Sequence, residues 1–288
     1  MSSLDFTQAL AQAEAGDADA QNWVAASYLY GHGTEADPSL ALHWFVVAAE
    51  QGQPAAQNDL GRLFYDGVVV PKNGEQALFW FTAAAQQGLD VACLNLVKCY
   101  TDGIGTEVDF VQRALWLAKA ANNGNAEAQN QLGVAYLGGL GVEPDSLTAA
   151  TWFRKSAEQG QADAQFNLAV CLETGDGIPV DEVEAVRWYM SSAQQSFPPA
   201  MNNLALCLEA GRGVALDVEN AFWLFRGAAA LGFPPAEFNV GRCFEHGLGT
   251  AIKLVEASLW YFKSAGAGHR AGTTAMWRLQ NASGATQA

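Results

Sequence analysis

The residues best suited to metal or nucleophilic chemistry are four histidines, His32, His43, His246 and His269, and five cysteines, Cys93, Cys99, Cys171, Cys207 and Cys243. Their spacing argues against both chemistries: there is no H-E-x-x-H and no C-x-x-C. Glu173, Glu209 and Glu245 recur 36 residues apart and can share a face with His246, which would offer oxygen and nitrogen ligands to a metal ion. Stacked carboxylates are more commonly a solvated face, so no metal is expected. Neither G-x-S-x-G nor S-x-x-K occurs, which leaves a β-lactamase-like hydrolase without a nucleophile. The recurring G-x-G is not followed by Lys-Ser/Thr and recurs between helical segments, so it is turn chemistry rather than a phosphate loop. The sequence therefore points to no catalytic residue and no cofactor.

Charge narrows the partners. The 288 residues carry 15 basic and 30 acidic side chains, a net charge of −15. No Lys or Arg precedes Arg62, while that stretch holds Asp5, Glu14, Asp17, Asp19, Glu35, Asp37, Glu50 and Asp59. Phosphate neutralisation supplies much of the affinity of a nucleic-acid binder, so this balance excludes nucleic acid. No apolar run is long enough to insert in a membrane. The start, MSSLDFTQALAQAEAGD, has neither the basic nor the apolar region of a secretory leader, and a cytoplasmic, monomeric protein is expected.

The elements that position these residues follow from a gapless period of 36. One column reads Gly31, Gly67, Gly103, Gly139, Gly175, Gly211, Gly247; two residues on it reads Gly33, Val69, Gly105, Gly141, Gly177, Gly213, Gly249. A third holds Trp44, Trp80, Trp116, Trp152, Trp188, Leu224 and Trp260, and the columns of Ala20 and Ala49 are alanine in every unit. Each unit predicts a helix A near 18–30, a loop near 31–37 and a helix B near 38–51. Asp37, Asn73, Asp109, Asp145, Asp181 and Asp217, with Lys253 as the exception, stand where a side chain can cap helix B. Gly52, Gly88, Gly124, Gly160, Ser196, Gly232 and Gly268 stand where a left-handed residue ends it. Pro54, Pro198 and Pro234 suit the first turn of the next helix A. Small alanines let helices approach, and the Trp column is expected to fill the core, with Trp152 among the most buried side chains. Cys99, Cys171, Cys207 and Cys243 share a column with Ser27, Leu63 and Ala135, a small buried packing position.

The pattern A-x-A-Q-x-N-L-G/A-x-x-Y-x-x-G-x-G, an Asp, then A-x-x-W-[FY]-x-x-[AS]-A-x-Q-G resembles the Sel1-like repeat, a relative of the tetratricopeptide repeat. The segments AEAQNQLGVAYLGGLGVEPDSLTAATWFRKSAEQG and ADAQFNLAVCLETGDGIPVDEVEAVRWYMSSAQQS carry it nearly throughout. The resemblance implies an all-α, right-handed α/α superhelical solenoid. It has a capping helix in 1–16, seven repeats (17–52, 53–88, 89–124, 125–160, 161–196, 197–232, 233–268), and a capping helix and tail in 269–288. The polar segments SSLDFTQ and QNASGATQA suit the caps. Val69 and Leu224 are the two departures. In some secreted members of the family this chain resembles, two cysteines per unit staple helix A to helix B; helix B here has no cysteine, so those staples cannot form, and reduced cysteines are expected.

The same resemblance implies a non-enzymatic scaffold of bacterial signalling, secretion or envelope processes that holds a protein or peptide partner in a concave groove lined by helix A. The inward column reads Ala26, Arg62, Lys98, Val134, Val170, Leu206, Arg242, and its variation on an invariant frame is where specificity is written. The expected partner-binding residues are Arg62, Lys98, Val134, Phe166, Val170, Leu206, Phe238 and Arg242. They give a basic entrance, an apolar floor and an acidic exit at Glu173, Glu209 and Glu245. The competing reading is that the apolar middle, Val134, Phe166, Val170 and Leu206, packs between helices. A cytosolic inhibitor or immunity-type partner of one enzyme or toxin is a special case of the adaptor; a small-ligand sensor and a hydrolase are the other classes.

Overall fold

The computed structural model describes residues 5–285; residues 1–4 and 286–288, and with them parts of SSLDFTQ and QNASGATQA, lie outside the described residues. The helices form two compact units, Met1–Pro144 and Asp145–Ala288. The first holds α1 (Phe6–Glu14), α2 (Ala18–Tyr30), α3 (Pro38–Glu50), α4 (Pro54–Asp66), α5 (Gly74–Gln86), α6 (Asp90–Asp102), α7 (Phe110–Asn122) and α8 (Ala126–Gly138). The second holds α9 (Ser146–Glu158), α10 (Ala162–Thr174), α11 (Glu182–Gln194), α12 (Pro198–Ala210), α13 (Val218–Ala230), α14 (Pro234–His246), α15 (Leu254–Gly266) and α16 (Arg270–Ala285). From α2 to α15 every helix is 13 residues long, and starts alternate between 20 and 16 residues apart, which makes up the period of 36.

Local chemistry sets these bounds. In the first unit α2 ends at Gly31 (φ 72), whose N–H returns to the Ser27 carbonyl. Asp37 then does two jobs: its N–H donates to Tyr28 O at 2.9 Å, and its carboxylate accepts from Ser39 N and Leu40 N at 2.9 and 3.0 Å. Asp109 repeats this in the first unit; in the second Asp181 and Asp217 make the same backbone bond and each accepts from one helix N–H, of Glu184 and Asn220. Lys253 holds the same backbone (φ −145, ψ 89) and the same bond to Phe244 O, yet offers no side-chain acceptor. Lys253→Asp is therefore expected to stabilise the second unit by about 1 kcal/mol, by capping α15 and removing a cation from its positive end. A thermal denaturation midpoint that fails to rise would refute this.

Two glycine columns have different reasons. The one ending helix B (Gly52, Gly88, Gly124, Gly160, Gly232, Gly268) is there for positive φ alone, and at position 196 a serine takes φ 61 in its place. The second loop glycine is there for space as well. A Cβ on Gly105 would lie 2.1 Å from Gly74 O, and one on Gly141 1.9 Å from Phe110 O; in the second unit Gly177, Gly213 and Gly249 lie as close to Ser146, Glu182 and Val218. Each such loop thus rests on the backbone that opens the preceding helix B, and Val69 cannot.

The core differs from the expectation in one respect. Trp152 is half-buried, as are Trp44, Trp80, Trp116, Trp188 and Trp260. The next residue on helix B is the core: Phe45, Phe81, Leu117, Phe153, Tyr189, Phe225 and Tyr261 are all at most 1% exposed. The indoles instead lie along the helix surface, where Lys119, Lys155 and Lys263 reach over Trp116, Trp152 and Trp260 at 5.2, 4.0 and 5.2 Å. The buried ring is matched by a small residue on helix A. Gly61 approaches Phe81 and Gly241 approaches Tyr261 so closely that a Cβ would lie 2.7 Å from either ring. Where the ring shrinks to Leu117, that helix-A position grows to Val97, so volume is conserved. The alanine column of Ala20 is buried throughout and that of Ala49 largely so.

Candidate partner-binding surface

Helix A leaves residues 26 and 29 of the period exposed or only partly buried and buries residue 24, which is Val24, Leu60, Leu96, Leu132, Leu168, Leu204 or Val240. In the first unit Arg62 is exposed on α4, 3.8 Å from Asp59. It lines a hollow of about 440 Å³ with Ala26, Leu29, Phe45, Asp59 and Val69. Burial raises the pKa of Asp59, against the pull of Arg62. Lys98 is exposed on α6, its Nζ 4.9 Å from the centre of the Tyr65 ring. It lines a second hollow of about 300 Å³, with Thr101, Asp102, Arg113, Glu127 and Gln131. The basic entrance is therefore shared with Asp59, Asp66 and Asp102. Val134 is 40% exposed on α8, next to Leu137 at 43%.

The second unit is more closed. Phe166 is half-buried, 5.9 Å from the Tyr189 ring and 5.6 Å from the Phe197 ring, and Val170 packs with it on the same core cluster. Leu206 packs on the cluster of Phe222 and Phe225. These three are partly buried, each packed against a core cluster on one side. Phe238 stacks against Tyr261 and His269, both at 5.5 Å, and with Arg242, His246, Tyr261 and Arg278 lines a hollow of about 460 Å³.

The expected acidic exit is not free. Glu173 accepts from the Tyr189 hydroxyl at 2.7 Å and pairs with Arg212 at 2.6 Å. Glu209 pairs with Arg242 at 2.5 Å; Glu245 accepts from the Tyr261 hydroxyl at 2.7 Å and pairs with Arg278. Burial first, and the neighbouring carboxylate second, push both phenols well above their ordinary pKa, so they stay protonated as donors. Arg242 is consequently tied to Glu209. Glu209 and Glu245 thus tie helix A to the next helix A within the unit, Glu173 ties α10 to the loop that follows α12, and His246 adds only a 3.7 Å approach to Glu245. Among the described residues no cluster of His, Cys, Asp and Glu is placed to hold a metal ion.

Two irregularities in the columns coincide with hollows, and the second of them, Arg113, was not read from the sequence. Val69 and Leu224, the departures from the repeat, each line a hollow; that of Leu224, about 410 Å³, also has Met190 and Trp223 on the helix-B face. Arg113 stands in a column that is alanine in every other repeat.

All five cysteines are free and buried. Desolvation raises every thiol, Cys99, Cys171 and Cys207 to about 11 and Cys243 to about 12. A raised pKa leaves little thiolate near pH 8. Native protein at that pH is expected to react with a disulfide reagent only as fast as it unfolds, with all five thiols appearing in denaturant; rapid labelling of any one in the native state would contradict the packing.

Among the described residues no helix is long and apolar enough to cross a membrane. The Sel1 repeat model matches residues 18–53, 54–89, 91–125, 126–161, 162–197, 198–233 and 234–269. Among solved structures, a protective antigen present in uropathogenic Escherichia coli strains and displaying an SLR fold is 33% identical, with a TM-score of 0.87 over 96% of this chain and 59% of that one. A Sel1 repeat protein from Oxalobacter formigenes is 30% identical, with a TM-score of 0.75 over 95% of this chain and 79% of its own. This chain thus spans little more than half of the E. coli antigen. The comparison with curated proteins gives no match. The fold is an all-α solenoid of helix–turn–helix repeats.

Proposed function

Because the chain belongs to the Sel1 repeat family, we propose that it is a non-enzymatic adaptor whose helix-A face holds a segment of a protein partner. The supporting observation is that one column of helix A, at Ala26, Arg62, Lys98 and Arg242, lines three separate hollows while its chemistry changes from repeat to repeat. Varied side chains on a repeated frame suit an extended partner read at several points. Arg62, Lys98 and Val134 of the first unit and Phe238 and Arg242 of the second are the contacts of this reading. Phe166, Val170 and Leu206 support the surface from beneath. Buried, unpaired thiols suit the reducing cytoplasm. Photo-crosslinking side chains installed at Lys98 and Arg242, and as controls at the exposed helix-B residues Leu115 and Leu259, test it in the native cell. Crosslinks to one protein from the helix-A positions alone are expected; crosslinks from the helix-B positions alone would overturn the reading.

A further inference from the structure

Arg113 is out of place in its own repeat. Its column holds Ala41, Ala77, Ala149, Ala185, Ala221 and Ala257, none more than 2% exposed. A guanidinium there is partly desolvated, and it has gained little in return. Its Nη1 is buried with no hydrogen-bond partner among the described residues. Nη2 reaches Gln131 Oε1 at 3.4 Å, a long contact. Asp102 and Glu127 line the same hollow, but neither comes within the ion-pair distance that Arg154, Arg212, Arg242 and Arg278 achieve with their glutamates. Burial accordingly lowers the pKa of Arg113, with no carboxylate to oppose it. A half-buried arginine without a counter-charge costs stability, and retaining it in place of the alanine of six repeats implies a use.

The hollow beside it supplies that use. Lys98 lines it, its ammonium resting against the Tyr65 ring, Gln131 and Thr101 add polar groups, and Leu94 and Val97 give it an apolar wall. We propose that this hollow, within the first unit, is an anchor for one carboxylate, held between the guanidinium of Arg113 and the ammonium of Lys98. A carboxylate matches the fork of an arginine in a way that a halide does not. Asp102 and Glu127 at the rim repel a multiply charged anion such as phosphate and leave a single negative charge tolerable. The proposal rests on the reading that helix A faces the partner, and it names the chemistry read in this repeat: an acidic side chain, or a chain terminus, of the bound segment.

The site is tested with free small molecules, independently of any partner. The Nε–Hε resonance of Arg113 and the backbone amides of Thr101 and Gln131 are followed by NMR during titration with N-acetylglutamate N-methylamide, its glutamine counterpart, N-acetylglycine and inorganic phosphate. Saturable shifts with the glutamate or glycine compound and none with glutamine are expected, the stronger of the two carboxylates naming the source. Equal response to glutamine, or a stronger one to phosphate, overturns the proposal. Arg113→Ala, which restores the alanine of the column, is expected to raise the thermal midpoint while weakening the carboxylate about tenfold or more. Lys98→Ala is expected to weaken it with the midpoint unchanged. A lowered midpoint for Arg113→Ala would make the guanidinium a packing element and end the argument. Carboxylate binding together with helix-B crosslinks in the cell would sink the adaptor reading and leave this site standing.

Discussion

Phe153→Ala is expected to destabilise the second unit by about 3–5 kcal/mol, the range for deleting a ring from a closed core. The side chain is 1% exposed and belongs to the column that supplies the largest buried group of each repeat. The loss adds the ring's transfer energy to the cavity left behind, because 13-residue helices held at both ends by caps have little freedom to collapse inward. Trp152→Ala, one residue away, removes a larger side chain from a half-buried place over which Lys155 lies. It should cost about 1–2 kcal/mol, much of it lost surface packing. Urea titration of the two variants decides the matter, and equal costs would mean that the tryptophans are core after all.

Gly177→Ala should be nearly as damaging, and Gly160→Ala mild. Both glycines have positive φ, 79° and 93°, so both substitutions meet the strain of a left-handed alanine, about 1–2 kcal/mol. At Gly160 nothing lies within 4 Å of the added carbon. At Gly177 it would lie 2.2 Å from Ser146 O, backbone that cannot swing aside. The loop must lift from the start of α9, and a total loss of about 3 kcal/mol or more is expected. Thermal denaturation of the pair separates conformation from contact; Gly177→Ala melting with Gly160→Ala would show the loop to be free.

The frame was legible because period, glycine columns and cap column all point to the same two helices, and a gapless repeat leaves no freedom in register. What could not be read was rotation about helix B. Trp152 and Phe153 are adjacent and both apolar, about 100° apart around the axis, so hydrophobicity alone does not say which turns inward. The lysine three residues after Trp116, Trp152 and Trp260 was the available hint, since a cation over an indole marks a surface. Pairing between repeats was equally hidden. Glu209 looks like a free carboxylate until α14 brings Arg242 to it from 33 residues away. The misfit of Arg113 was visible in its column, but only burial and the unpaired Nη1 show that it carries a cost.

At Gly105, Gly141, Gly177, Gly213 and Gly249 the loop rests on the preceding helix B 31 residues back, as Gly105 does on Gly74 and Gly213 on Glu182. Contacts between repeats are thus indexed by column rather than by place in the chain. Excising any 36 consecutive residues within one unit, 53–88 for instance, rejoins each column to its own kind, and the new junction needs no repair. A gene built this way can gain or lose a repeat by unequal crossing-over without passing through an unfoldable intermediate. Length becomes a trait that varies separately from fold, and the reach of the binding face changes in whole repeats rather than by the residue.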